Sequence, residues 1–140
     1  VDSLCRSIAG RGILKGFSLR YSLNAADGGR ADIVEIGGQV EGKVYRISRK
    51  ALAYLYQREG VKQKIYRPTF IDVRIDNQLQ TNVLTFIVVD KQEESAPPEH
   101  YLREIVRGGK DCLSDAYLAQ LVNRVQTKFN MDVSFETLSC

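Results

Sequence analysis

Glu59 stands where its helix calls for an apolar side chain. The stretch Ser48 to Gly60 (SRKALAYLYQREG) reads as one short amphipathic helix with an apolar stripe at Leu52, Leu55 and Tyr56. Positions i, i+3, i+4 and i+7 share a helical face, so the next member of that stripe is Glu59. The acid is carried inward in the last turn, one residue before Gly60. Burial disfavours the anion. The unpaired carbonyls at a helix C-terminus carry partial negative charge and act in the same direction. A carboxyl group raised toward neutral pH can take up a proton and return it, as a general base and acid must. Arg58 opposes the shift, although its helical phase points it off the apolar face. The other reading is structural: a glutamate closing a helix is commonly solvated or paired with a neighbour.

Other residues carry weaker chemistry. Tyr66 opens the following strand and either lines a pocket beside Glu59 or packs in the core. Arg20 and Arg67 have the charge to hold a carboxylate, but the surface is the usual place for arginine. His100 sits beside a helix start and is expected to be exposed. Ser3, Cys5 and Ser7 have no base nearby to activate them. Gly28-Gly29 and Gly37-Gly38 do not fit a phosphate-loop pattern. With one histidine and no Cys-x-x-Cys or His-x-x-x-His spacing, no zinc site is expected.

The elements that position these residues can be read from periodicity. Gly12 to Asn24 contains an alternating piece, Phe17, Leu19, Tyr21 and Leu23 against Ser18, Arg20 and Ser22, and predicts a half-buried strand. Ala25 to Arg30 (AADGGR) reads as a turn or loop. Ala31 to Ile36 is short and extended, and Gln39 to Ile47 is a strand in which Gly42 marks a bulge or a close backbone approach. Ser48 is a good N-cap and Gly60 a good residue just past the helix end. Ile65 to Ile75 is a strand with Ile71, Val73 and Ile75 on one face, and Pro68 belongs at an edge or bulge. Asp76-Asn77 turns the chain into Thr81 to Val89, whose continuous apolar run predicts a central strand. Two helices follow. The first runs from Pro98 to Arg107 on Tyr101, Leu102, Ile105 and Val106. The second runs from Asp115 to Lys128 behind a Ser114 cap, on Tyr117, Leu118, Leu121, Val122 and Val125. The tail from Phe129 to Cys140 either adds a strand or frays. The fold class is α+β: a curled, mostly antiparallel sheet or barrel with packed helices.

A chain of 140 residues is expected to form one domain across residues 1–140. Its net charge of +3 is too small, and its lysines and arginines too scattered, for nucleic-acid binding. No apolar run is long enough to predict a membrane span. Cys5, Cys112 and Cys140 are odd in number and far apart, which suits a reduced, cytoplasmic protein. A monomer or a homodimer is expected, since an exposed edge strand can pair. The opening residues, DSLCRSIAG, read like the middle of a domain, so further residues are expected upstream of Val1.

The run QVEGKVYRISRKALAYLYQREGV followed by IYRPTFIDVRI resembles the gamma-glutamylcyclotransferase-like (AIG2-like) family. Val40, Gly42, Val44 and Tyr45 fit the family's V-x-G-x-V-Y strand. Leu55, Glu59 and Gly60 fit its L-D-x-x-E-G helix end, with Tyr56 in place of the Asp. Tyr66-Arg67 fit the strand that follows. GRGILKGFSLRYSLN and ADIVE look like further family segments, as does ESAPPEHYLREIVRGGKDCLSDAYLAQL. The resemblance spans Cys5 to Leu121 and implies that Glu59 is the general acid and base. It also implies a γ-glutamyl amino acid or amine as the small-molecule substrate, closing on itself to release 5-oxoproline with neither a metal nor an organic cofactor. Tyr66 and Phe86 are the implied substrate-binding residues, each with packing as the alternative. The family's Y-G-S-N strand and loop have no counterpart in these residues: either they lie upstream of Val1, or this chain has lost that half of the implied site. A second reading keeps the fold and drops the reaction, leaving a non-catalytic small-molecule-binding or interaction module.

Overall fold

Gly16 divides the stretch from Gly12 to Asn24, whose alternating piece begins only at Phe17. Its φ is 89°, in the region glycine favours, and the chain turns there between β1 (Arg6–Lys15) and β2 (Ser18–Ala25). The Gly16 N–H donates to Gly38 O at 2.9 Å and the Gly37 N–H donates to Gly16 O at 3.0 Å, tying this turn to the later glycine pair. The computed structural model describes residues 6–140, so Ser3, Cys5 and the Ser7 side chain lie outside the described residues.

β2 forms a hairpin with β3 (Gly28–Val34), leaving Ala26 and Asp27 as the turn. Much of AADGGR, read as loop, is therefore strand. The two glycines of that segment answer to packing. A Cβ on Gly29 would lie 2.2 Å from Ser95 O, and one on Gly28 would lie 2.6 Å from Ala96 O. The connection that follows the last strand runs along the hairpin here. Gly29 N–H donates to Ala96 O, and the Glu94 carboxylate accepts from Tyr21 N–H at 3.0 Å and from both Arg124 amino groups at 2.9 and 2.6 Å.

β4 (Gln39–Ile47) pairs with β1, and β5 (Tyr66–Ile75) with β6 (Gln78–Val88), in an antiparallel sheet of order β4-β1-β5-β6. Asp76 and Asn77 join β5 to β6 with φ of 51° and 65°, as a two-residue hairpin turn demands. The irregularity expected at Gly42 falls instead between Ile8 and Gly10 of β1. The crowded glycine is Gly12, opposite Gly42, where a Cβ would come within 2.7 Å of Val44 Cγ2. Pro68 pairs with Phe86 of β6, and β5 meets β1 at Ile13 opposite Arg74, toward the other end of the strand.

β6, expected to be central, lies at the end of the strand order. Its apolar run has another cause, because both of its faces are covered. Val83 packs toward Leu14, Val40 and Val73 inside the curl of the sheet, and Phe86 meets Tyr56 of the helix on the other side. Beyond β6 stands β3, whose Asp32 side chain accepts the Val88 N–H at 2.9 Å.

The described residues form four helices: α1 (Arg49–Arg58), α2 (Glu99–Gly109), α3 (Asp115–Phe129) and α4 (Phe135–Ser139). The expected stripes of α2 and α3 are the buried ones. Leu102, Val106, Leu118 and Val125 are fully enclosed, together with Tyr21 of β2. Ser114 caps α3 and is itself held by Glu41 of β4, which accepts from its N–H and hydroxyl at 2.8 Å each. The tail neither adds a strand nor frays. Ser134 and Thr137 form a capping box and Leu138 of α4 is completely buried against α2 and α3. The fold is α+β with antiparallel sheets, as the periodicity requires. Among the described residues, no helix is long and apolar enough to cross a membrane, and no three metal-binding side chains gather.

Candidate active site

The site is built from the end of α1. Ser48 accepts the Ala51 N–H at 3.1 Å and starts the helix. At the other end Val61 N–H donates to Tyr56 O and Gly60 N–H to Gln57 O, each at 3.1 Å, and Gly60 has a φ of 63°. These are the bonds of a Schellman closure, which leaves Glu59 as the last residue before the chain turns away. Leu52, Leu55, Tyr56 and Glu59 are half-buried, whereas Ala53, Tyr54, Gln57 and Arg58 are exposed. Glu59 therefore does occupy the inward stripe. Burial raises its pKa above the ordinary carboxylate range, and Arg58 pulls it back in part.

Two tyrosines lie within electrostatic reach of that carboxyl group. The Tyr66 hydroxyl, at the start of β5, donates to Ala31 O at 2.7 Å. The Tyr101 oxygen, from α2, accepts the Ala31 N–H at 2.9 Å. Both phenols thus hold the same residue of β3. The bond at Tyr101 uses an oxygen lone pair, so its hydroxyl proton remains available for donation. The Arg30 guanidinium lies 4.7 Å above the Tyr101 ring. Burial first, then the other tyrosine and Glu59, raise the Tyr66 pKa. Burial also raises that of Tyr101, with Glu59 adding to it and the Ala31 bond and Arg30 opposing.

Phe86 completes the wall. Its ring meets Tyr56 edge-to-face, with centroids 5.4 Å apart and planes at 85°. In the β5–β6 ladder Pro68 is opposite Phe86 and Tyr66 opposite Val88, so Tyr66 and Phe86 face the same side of the sheet. Tyr66 thus stands within electrostatic reach of Glu59, and Phe86 packs on Tyr56 of the same helical face.

The remaining candidates lie elsewhere. Arg20 donates to Leu19 O at 2.9 Å and lines a cavity of about 300 Å³ beside Arg124 and Gln120. Arg67 is exposed. His100 is exposed and stands 3.6 Å from Asp27. Sequence reasoning placed Tyr101 in the packing stripe of α2 and did not find its bond to Ala31. The one available signal was chemical: a tyrosine in an apolar stripe has a hydroxyl that needs a partner.

Comparison with known proteins places these features in context. Residues 39–121 match the model of the AIG2-like family, a span that contains Glu59, Tyr66, Phe86 and Tyr101. The chain is 46% identical over 121 residues to "Putative gamma-glutamylcyclotransferase YkqA" of Bacillus subtilis (strain 168), which covers 86% of this chain and 44% of that protein. Against the crystal structure of YkqA from Bacillus subtilis the TM-score is 0.86 at 43% identity, covering 91% of this chain and 47% of the other. A solved structure described as a gamma-glutamyl cyclotransferase shares the fold, with a TM-score of 0.76 at 22% identity, covering 84% of this chain and 73% of that one. The chain thus spans less than half the length of YkqA.

Proposed function

The chain belongs to the AIG2-like family, and from that premise we propose that it is a gamma-glutamyl cyclotransferase with Glu59 as its proton carrier. The observation that carries this reading is the half-buried Glu59 carboxyl group on the inward face of α1, raised in pKa by burial and within electrostatic reach of Tyr66 and Tyr101. The substrate's free α-amino group attacks its own γ-carbonyl carbon. Glu59 accepts a proton from that amine as the new C–N bond forms, then delivers it to the departing nitrogen as the old C–N bond breaks. The products are 5-oxoproline and a free amino acid or amine, and no other reactant is consumed. Nucleophile and electrophile belong to one molecule, so folding the substrate into its reactive shape supplies much of the rate. Backbone N–H groups meet the oxyanion in this reading. Tyr66 and Phe86 contact the substrate.

The same proposal takes residues 1–140 as one domain. Free thiols at Cys112 and Cys140 suit a reducing, cytoplasmic setting. The test is direct. Wild-type protein incubated with a panel of γ-glutamyl amino acids and amines should release 5-oxoproline, measured by mass spectrometry. Glu59→Gln should slow that release by roughly 10²- to 10⁴-fold, the usual share of a general acid–base group. Release at the wild-type rate by Glu59→Gln would remove Glu59 from the chemistry. Binding of these compounds with no release would favour the non-catalytic module.

A further inference from the structure

The surface beside Glu59 along α1 has a chemistry of its own. Tyr56 precedes Glu59 by three residues, which sets the two side chains next to each other on one helical face. Both it and Phe86 are half-buried, so the two rings pack edge-to-face on each other while part of the pair stays accessible. Pro68 continues the same sheet face between Phe86 and Tyr66. Gln57 and Arg58, the polar neighbours on α1, are exposed on the other side of the helix. Tyr66 and Tyr101, also within electrostatic reach of Glu59, are both bonded to Ala31, with Arg30 stacked on Tyr101. A molecule whose reacting centre touches Glu59 can extend along the Tyr56–Phe86 flank.

We infer that the amine released from the substrate carries an apolar or aromatic group, which packs against the Tyr56–Phe86 pair. This rests on the cyclotransferase reading, since only there does an amine depart. An apolar substituent leaves water for the ring edges and gains by it. A carboxylate set against the same two rings loses hydration without a polar partner in either ring. A hydrophobic wall of this kind separates ligands by roughly tenfold or more.

The experiment compares γ-glutamyl-phenylalanine with γ-glutamyl-aspartate in two assays. Binding is followed by NMR titration of Glu59→Gln, which should not consume the ligand. Release of 5-oxoproline is followed with wild type. γ-Glutamyl-phenylalanine should bind at least tenfold more tightly, and its kcat/KM should be higher by a similar factor. Adding Tyr56→Ser should erase the binding preference. Phe86→Leu should weaken it, and serves as the second variant if Tyr56→Ser fails to fold. Equal affinities, a preference for the aspartate compound, no binding of either, or a preference that survives both substitutions overturns the inference. Release without preference overturns the aromatic wall and leaves the cyclotransferase reading standing. Preferential binding without release of 5-oxoproline from any substrate overturns the cyclotransferase reading, and with it the assignment of this wall to a departing amine.

Discussion

Protonation of Glu59 links its chemistry to folding. Burial raises its pKa above the ordinary value of 4.5. In the unfolded chain the group ionises near that ordinary value, and in the folded chain it keeps its proton to higher pH. The folded state therefore binds more protons between the two values, so stability falls as pH rises through that window. Glu59→Gln removes the charge and its cost. The variant should melt at a higher temperature than wild type at pH 7, and the difference should vanish as pH drops below 4.5, as calorimetry at several pH values can check. Activity should move the other way. In the proposed reaction the base must be ionised, so kcat/KM should fall as pH drops through the raised pKa, while residual Glu59→Gln activity should lack that limb. A gain in stability together with a loss of activity in one variant distinguishes a functional acid from a structural one.

At the scale of elements, α1 owes its position to its two ends. Ser48 and Gly60 fix where the helix starts and stops, and those limits set the phase that turns Glu59 inward. Both ends are legible in the sequence because caps are local, depending on residues three to five apart. The split between β1 and β2 is harder to read, since the partners of Gly16, Gly37 and Gly38, come much later in the chain. The tail is harder still. With five residues, α4 is too short to show helical periodicity or to be stable alone. Packing against α2 and α3 holds it in place. Leu138→Ala, at a fully buried site, should therefore destabilise the protein by about 2–5 kcal/mol, read from the urea midpoint. A change near zero would mean that α4 is not docked in solution.

The whole molecule places a hairpin beside a four-stranded sheet, and one buried carboxylate bridges them. Asp32 of β3 accepts Val88 N–H from β6 at 2.9 Å and Lys91 Nζ at 2.7 Å. Asp32→Ala leaves the Val88 N–H without its partner and should cost about 1–3 kcal/mol in denaturant unfolding. Its neighbour Ala31 is the residue that Tyr66 and Tyr101 hold, so the same variant should also lower kcat/KM for γ-glutamyl substrates. Unchanged stability and activity would mean that the two sheets are joined by other contacts. The sequence by itself determined the α+β class, the limits of α1, the stripes of α2 and α3, and the inward phase of Glu59. Each of these follows from local periodicity and capping. Only the tertiary structure decided that β6 ends its sheet, that Gly28 and Gly29 make room for the chain at Ser95 and Ala96, and that Tyr101 shares Ala31 with Tyr66 beside the acid. These depend on contacts between residues distant in the chain, and no local pattern of side chains encodes which distant partner will arrive.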